Sequence, residues 1–378
     1  MPKRLHYIDW LRVLAVLLLF PFHTSRVFNA GEAFYVKSPY LSMAINYAIG
    51  FVDLWHMPLL FLLAGCSAYF SLAKRSPSTF TRERGLRLGV PLLFGILVIM
   101  PPQTYVGGRF NSGYAGTFLR YLTSLDFLRW NIQQDGDYYG GFGVGHLWFI
   151  LFLIVFSLVA LPFFAWARGE RGRERIGAWA RTLARPAWWL MPPALLWLAE
   201  GVPELFGKAA VYYLVIFVLG FIVMSDDAFA ESAERHLIAA LAVGMTLCIA
   251  SVVSWQWRNS LPDPSVALTV VNYLGMLGVW TTLIGFLGAG RRFLDAPSRS
   301  LSYLAEASYP LYILHQTVIV VIAWFVVKAP IGGVAQWIAV LVGGVAASFA
   351  IYEVVRRVGP LRFLFGMRPR GATGAVPR

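Results

Sequence analysis

Long apolar runs, one after another, leave this chain a single environment in which to fold. Ten of them stand at about 10–28, 43–72, 87–106, 146–167, 186–200, 209–225, 236–256, 265–289, 306–327 and 333–354. A run of roughly 20 apolar residues crosses a bilayer as a helix, which satisfies every backbone polar group within the segment. Of the 378 residues, 58% are hydrophobic and 13% charged, with mean hydropathy +0.62. Soluble domains carry about 25% charged residues. The expected fold is an all-α integral membrane protein of about ten transmembrane helices. The run at 43–72 is long enough to tilt or project, and the one at 186–200 is short and interrupted by Pro192 and Pro193.

A net charge of +13 raises the question of nucleic acid. Its placement argues for topology instead, because most basic residues lie in short segments between apolar runs. With the N-terminus in the cytoplasm, 24 of the 32 Lys and Arg fall on the cytoplasmic side and 8 outside. That asymmetry supports ten spans with both termini cytoplasmic. The partner expected is the lipid bilayer, and no nucleic acid. The stretch after Lys3 and Arg4 runs long, contains Asp9 and Arg12 and has no clear small-residue cleavage site. It reads as a retained signal anchor. Cys66 and Cys248 lie in apolar runs and read as small buried residues. Residues 1–366 are expected to form one transmembrane domain, and 367–378 a disordered cytoplasmic tail. The largest outer segment, 107–145, is rich in Gly, Tyr and Asp. Within it, 117–130 has the spacing of a helix lying along the interface.

Against this apolar background the ionisable residues are conspicuous. Asp9, Arg12 and His23 fall in the first run. His23 follows Arg12 by eleven positions, which is about 20° beyond three helical turns, so the charges share one stripe. Ionisable groups in a membrane helix cost several kcal/mol unless they face a partner or a water-filled cavity. An imidazole titrating near pH 6.5 suits a general base at neutral pH; a structural histidine bonded to a neighbouring helix is the alternative. Asp53 and His56, at i and i+3 in the second run, form either a second wall of the same cavity or a self-satisfied pair. Arg82, Arg84 and Arg87 suit phosphate groups or simply set topology beside anionic lipid. His146 and Trp148 open the fourth run, where Trp148 reads also as an interfacial anchor. Ser308, Tyr312 and His315 share a face of the ninth, as a polar seam or as part of the cavity. No GxSxG elbow, phosphate-binding glycine loop, HExxH or CxxC cluster occurs, so neither a metal site nor a nucleotide hydrolase is expected.

Four stretches in this order resemble the acyltransferase-3 family of membrane acyl-CoA:carbohydrate O-acyltransferases. They are DWLR followed by His23, with ten residues between Arg12 and His23; HMPLLFLLAG at 56–65; Arg82-x-Arg84 followed by RLGVP at 87–91; and HLWFILFL at 146–153 with SYPLYILHQ at 308–316. The segments PFHTS and RERGLRLGVP are most similar to the branch that acts in periplasmic glucan synthesis, which is associated with succinyl transfer. The resemblance implies a multi-pass protein of the bacterial cytoplasmic (inner) membrane with no permanently bound cofactor. Its donor substrate would be acyl-CoA, as acetyl-CoA or succinyl-CoA, and its acceptor a hydroxyl of an extracytoplasmic or lipid-linked carbohydrate. His23 would be the catalytic base or a transient acyl carrier. Arg12 would line the inner route beside Asp9, and Arg82, Arg84 and Arg87 would bind the phosphates of acyl-CoA. Some family members append a soluble esterase-like domain. Without one, transfer is completed by the membrane part or by a separate glycan-handling protein. Two readings compete: a proton-coupled transporter using an intramembrane relay of Asp9, His23, Asp53 and His56, and a non-catalytic lipid or sensor scaffold.

Overall fold

Each apolar run becomes helix in the computed structural model, which describes residues 5–73, 75–128 and 141–368. The chain begins with α1 (His6–Arg26) and α2 (Met43–Ala73). Next comes α3 (Pro77–Asn111), a 35-residue helix with wide π-type turns at Gly85–Gly89 and Gly95–Ile99. Short helices α4 (Phe118–Leu122) and α5 (Leu125–Leu128) follow. A turn at Gly145–Leu147 then leads into α6 (Trp148–Val159), and the chain bends 51° into α7 (Leu161–Arg168). Beyond it lie α8 (Glu170–Leu183), α9 (Met191–Glu200), α10 (Ala210–Val223) and α11 (Asp227–Arg235). They are followed by α12 (Leu237–Val253), α13 (Trp255–Ser260), α14 (Val266–Leu294), α15 (Arg299–Val326), α16 (Gly333–Val355) and α17 (Gly359–Leu364). The described residues contain no β-strand, only two isolated bridges.

By length and composition, α1, α2, α3, α14, α15 and α16 can each cross a membrane. The number rises to eight if α6 with α7, and α10 with α11 (bent by 101°), each count as one span. Two of the ten expected spans are therefore shorter than expected. In 186–200, Pro192 and Pro193 sit in the first helical turn, where a missing N–H costs nothing, so the helix starts at Met191. Ten residues give about 15 Å, half the hydrocarbon thickness. In 236–256 the helix α12 has 17 residues. Two of the basic segments between the apolar runs are also helical. Residues 77–87 belong to α3. Residues 170–183 form α8, which buries Ile176, Ala180 and Leu183 and leaves its charges outward. The described part of the amphipathic stretch, 117–128, is broken into α4 and α5. Residues 129–140 of the Gly/Tyr/Asp segment, and 369–378 of the tail, lie outside the described residues.

The surfaces of these helices carry Leu93, Leu97, Ile238, Val334 and Val342, each between 49% and 78% exposed. Apolar surface on that scale fits lipid as solvent.

The chain divides into two compact units. The first comprises Met1–Ala15, Gly50–Thr81 and Val155–Leu301. It packs through small residues. At the crossing of α2 and α10, a Cβ on Gly65 would fall on the Phe217 carbonyl, and one on Gly220 on the Leu62 carbonyl. Each helix thus seats its glycine against the other's backbone, the device by which helices gain contact in lipid. Asp295, just after α14, accepts from the His6 N–H at 2.9 Å and caps the start of α1. The second unit comprises Val16–Ile49, Arg82–Ile154 and Ser302–Arg378.

Candidate active site

In the second unit three imidazoles converge. His23 comes from the last turn of α1, His315 from α15, and His146 from the turn before α6. The His23 and His315 ring centres are 5.0 Å apart, and those of His315 and His146 are 5.1 Å apart. Tyr312 lies 5.8 Å from His315, and its hydroxyl donates to the His146 carbonyl. Gly145 makes the turn possible with φ +43°, a conformation that costs a side chain but not glycine.

Backbone carbonyls fix two of the tautomers. His315 Nδ1 is 2.6 Å from the Tyr312 carbonyl, and His146 Nε2 is 3.0 Å from that of Ile313. A carbonyl only accepts, so each of these nitrogens carries hydrogen. The lone pairs of the neutral rings are then on His315 Nε2 and His146 Nδ1. His146 Nδ1 has no hydrogen-bond partner among the described residues. The cluster therefore offers basic nitrogens in a largely dry setting, since His315 is 1% and His146 7% exposed.

A loop closes over the cluster. Phe34 stacks on His23 with ring centres 6.3 Å apart and planes 21° from parallel. Lys37 clips this loop to the end of α1, donating to the carbonyls of Arg26 at 3.0 Å and Asn29 at 2.6 Å, and to Asn29 Oδ1 at 2.7 Å. Burial and the neighbouring Arg26 pull its ammonium down to about 8. Asn111, ending α3, donates to the Phe34 and Tyr35 carbonyls. Lys37→Ala removes three charge-assisted bonds. It is expected to speed hydrogen exchange in 27–42 by about tenfold or more with the helices still protected. Unchanged exchange there would show that the clip does not order the loop.

The arginines expected to hold phosphate lie in the same unit, on the first turns of α3. Arg82 and Arg87 are exposed and Arg84 half-buried. Arg87 Nε donates to the Gly366 carbonyl at 3.4 Å, and both Arg84 and Arg87 are within electrostatic reach of Tyr309. Arg362 holds the chain that returns to them, bonding the Arg368 carbonyl and pairing with Glu306 at 2.8 Å.

The remaining expected residues fall elsewhere. In the first unit, Arg12 pairs with Asp9 at 3.2 Å and donates to Ser67 Oγ at 2.7 Å. Asp53 and His56 do not share an environment: Asp53 is exposed and His56 is 1% exposed. His56 Nε2 meets the Ala15 carbonyl at 2.7 Å, which ties α2 to α1. Trp148 starts α6 and packs edge-on to Phe152. Among the described residues, no group of three or more His, Cys, Asp or Glu could hold a metal ion.

Sequence reasoning passed over Phe34, Ser67 and Gln103. Gln103 is fully buried in α3, its Oε1 accepts from Thr317 at 3.2 Å, and its Nε2 has no partner among the described residues. A glutamine inside the run IMPPQTYV was the available signal; Phe34, in an aperiodic loop, had none.

The acyltransferase domain family model matches residues 5–353. The glucans biosynthesis protein C of Escherichia coli K12 is 22% identical over 391 residues, covering 97% of this chain and 95% of that protein. The protein of the same name from Salmonella paratyphi B is 22% identical over 393 residues, with the same coverage. No solved structure matches the chain.

Proposed function

This chain belongs to the acyltransferase-3 family, and from that premise we propose that it moves an acyl group from acyl-CoA to a hydroxyl of a carbohydrate on the opposite side of the membrane. The three-histidine cluster carries this reading. His23 takes the proton of the acceptor hydroxyl as its oxygen attacks the thioester carbonyl. The tetrahedral intermediate collapses, the carbon–sulfur bond breaks, and the imidazolium returns the proton to the departing CoA thiolate. His315 and His146, with tautomers set by carbonyls, hold the ring of His23 in a fixed electrostatic setting. Arg82, Arg84 and Arg87 bind the donor's phosphates as forks. The name of these relatives points to a glucan as acceptor, and their branch to succinyl as one of two candidate acyl groups alongside acetyl. The setting is the bacterial inner membrane with the donor side cytoplasmic, and a separate glycan-handling protein is a candidate partner.

A proton relay through Asp9, His23, Asp53 and His56 finds less support. Asp9 is paired with Arg12, and His56 gives its Nε2 hydrogen to a backbone carbonyl.

The test is binding and turnover of labelled acetyl-CoA and succinyl-CoA by the purified protein in detergent. One donor is expected to bind. Arg84→Ala is expected to weaken that binding by about tenfold or more, as for loss of a charge-assisted contact. Failure of the folded protein to bind either donor would overturn the acyl-CoA reading.

A further inference from the structure

Helices α3 and α15 run side by side in one direction. Thr317 meets Gln103, and seven residues later Trp324 meets Arg109, which is six residues after Gln103. Arg109 stands 22 residues beyond Arg87, about 33 Å along the helix. That is the thickness of a bilayer's hydrocarbon core, so Arg109 and Arg87 mark opposite faces.

At the Arg109 face two cations converge on one indole. The Arg109 guanidinium lies 5.8 Å from the Trp324 ring centre, and the Lys328 ammonium 3.4 Å from it. The charges are therefore no farther apart than those two distances together, about one Debye length at physiological salt. Arg109 also lies over Tyr105 and donates to its hydroxyl at 3.1 Å. Neither cation has a carboxylate partner among the described residues. The ring quadrupoles hold the cations in place but do not neutralise them. The surface beside them is apolar: Phe110 is 39% exposed, Phe325 68% and Leu119 on α4 73%.

Two cations that no described carboxylate compensates, set in an aromatic frame at bilayer depth and walled by exposed hydrocarbon, call for an anion that brings its own apolar chains. We propose that Arg109, Trp324 and Lys328 bind the phosphate of an anionic lipid in the leaflet opposite Arg82–Arg87. The lipid's tails lie against Phe110 and Phe325, and its phosphate bridges guanidinium and ammonium. The site bears on the histidine cluster through Asn111, two residues after Arg109, which holds the Phe34 loop. The assignment is independent of which acyl donor the protein uses.

The full chain in detergent is titrated with short-chain phosphatidylglycerol, with phosphatidylcholine of the same chain length, and with inorganic phosphate. Thermal unfolding and native mass spectrometry are the readouts. Phosphatidylglycerol is expected to raise Tm by about 2 °C or more and to remain bound, one molecule per chain. Arg109→Gln/Lys328→Gln is expected to lose both effects while keeping its own lipid-free Tm near wild type, since both side chains are exposed. Equal lipid retention by this variant would overturn the proposal. So would a phosphatidylcholine effect matching that of phosphatidylglycerol, or full stabilisation by inorganic phosphate alone, which would show an anion site with no lipid specificity. Should the double variant fold poorly, Lys328→Gln alone is read by lipid retention, where partial loss supports the site and none overturns it.

Discussion

His23→Ala is expected to abolish acyl transfer while leaving the protein folded and still able to bind its acyl donor. A positioned general base contributes about 10²–10⁴ in rate, and the other two rings of the cluster are each held in place by a backbone carbonyl. His315 commits Nδ1 to the Tyr312 carbonyl, and His146 commits Nε2 to that of Ile313. Single-turnover transfer measured beside equilibrium donor binding separates chemistry from affinity. His315→Ala is expected to fall between wild type and His23→Ala, because it removes the ring 5.0 Å from His23 without removing the base. Transfer by His23→Ala at the wild-type rate would end the assignment, whatever the binding data.

The largest structural effect is expected at the crossing of α2 and α10. Gly220→Ala places a methyl on the Leu62 carbonyl, a backbone atom that no rotamer change can move aside. Overpacking of a well-packed contact costs about 1–3 kcal/mol and more where backbone must shift. The expected outcome is a Tm lowered by many degrees or loss of monodisperse protein. Gly89→Ala on α3 is the matched control, since its Cβ meets nothing within 4 Å. That substitution is expected to be neutral or slightly stabilising through helix propensity, by up to about 1 kcal/mol. Equal stability of the two variants would mean that α2 and α10 can separate without consequence.

Much of this molecule is legible in its sequence. Apolar length located the helices, because lipid leaves the backbone no other way to satisfy its hydrogen bonds. The three histidines of the cluster were each conspicuous as polar residues in apolar runs. Their meeting was not, because helical periodicity reports which face a residue occupies and not which helix it faces. His23 and His315 are nearly 300 positions apart. The same limit explains His56: its spacing to Asp53 suggested a shared wall, whereas packing spends it on the Ala15 carbonyl. Helix ends were the weakest point. The basic residues at 77–87 and 170–183 fall outside the apolar runs and are nonetheless helical, because arginine favours helix and its long stem reaches the interface.

The cap on α1 also sets a clock. Its first turn is finished by Asp295, 289 residues downstream of His6. At about 5–20 residues per second of synthesis, roughly 15–60 s pass before that carboxylate exists. Arg12 waits less, since Ser67 follows it by 55 residues. For most of translation the first helix must sit in the membrane with its first N–H groups uncapped. Something outside the finished fold, whether water at the membrane surface or the insertion machinery, has to serve as their temporary host.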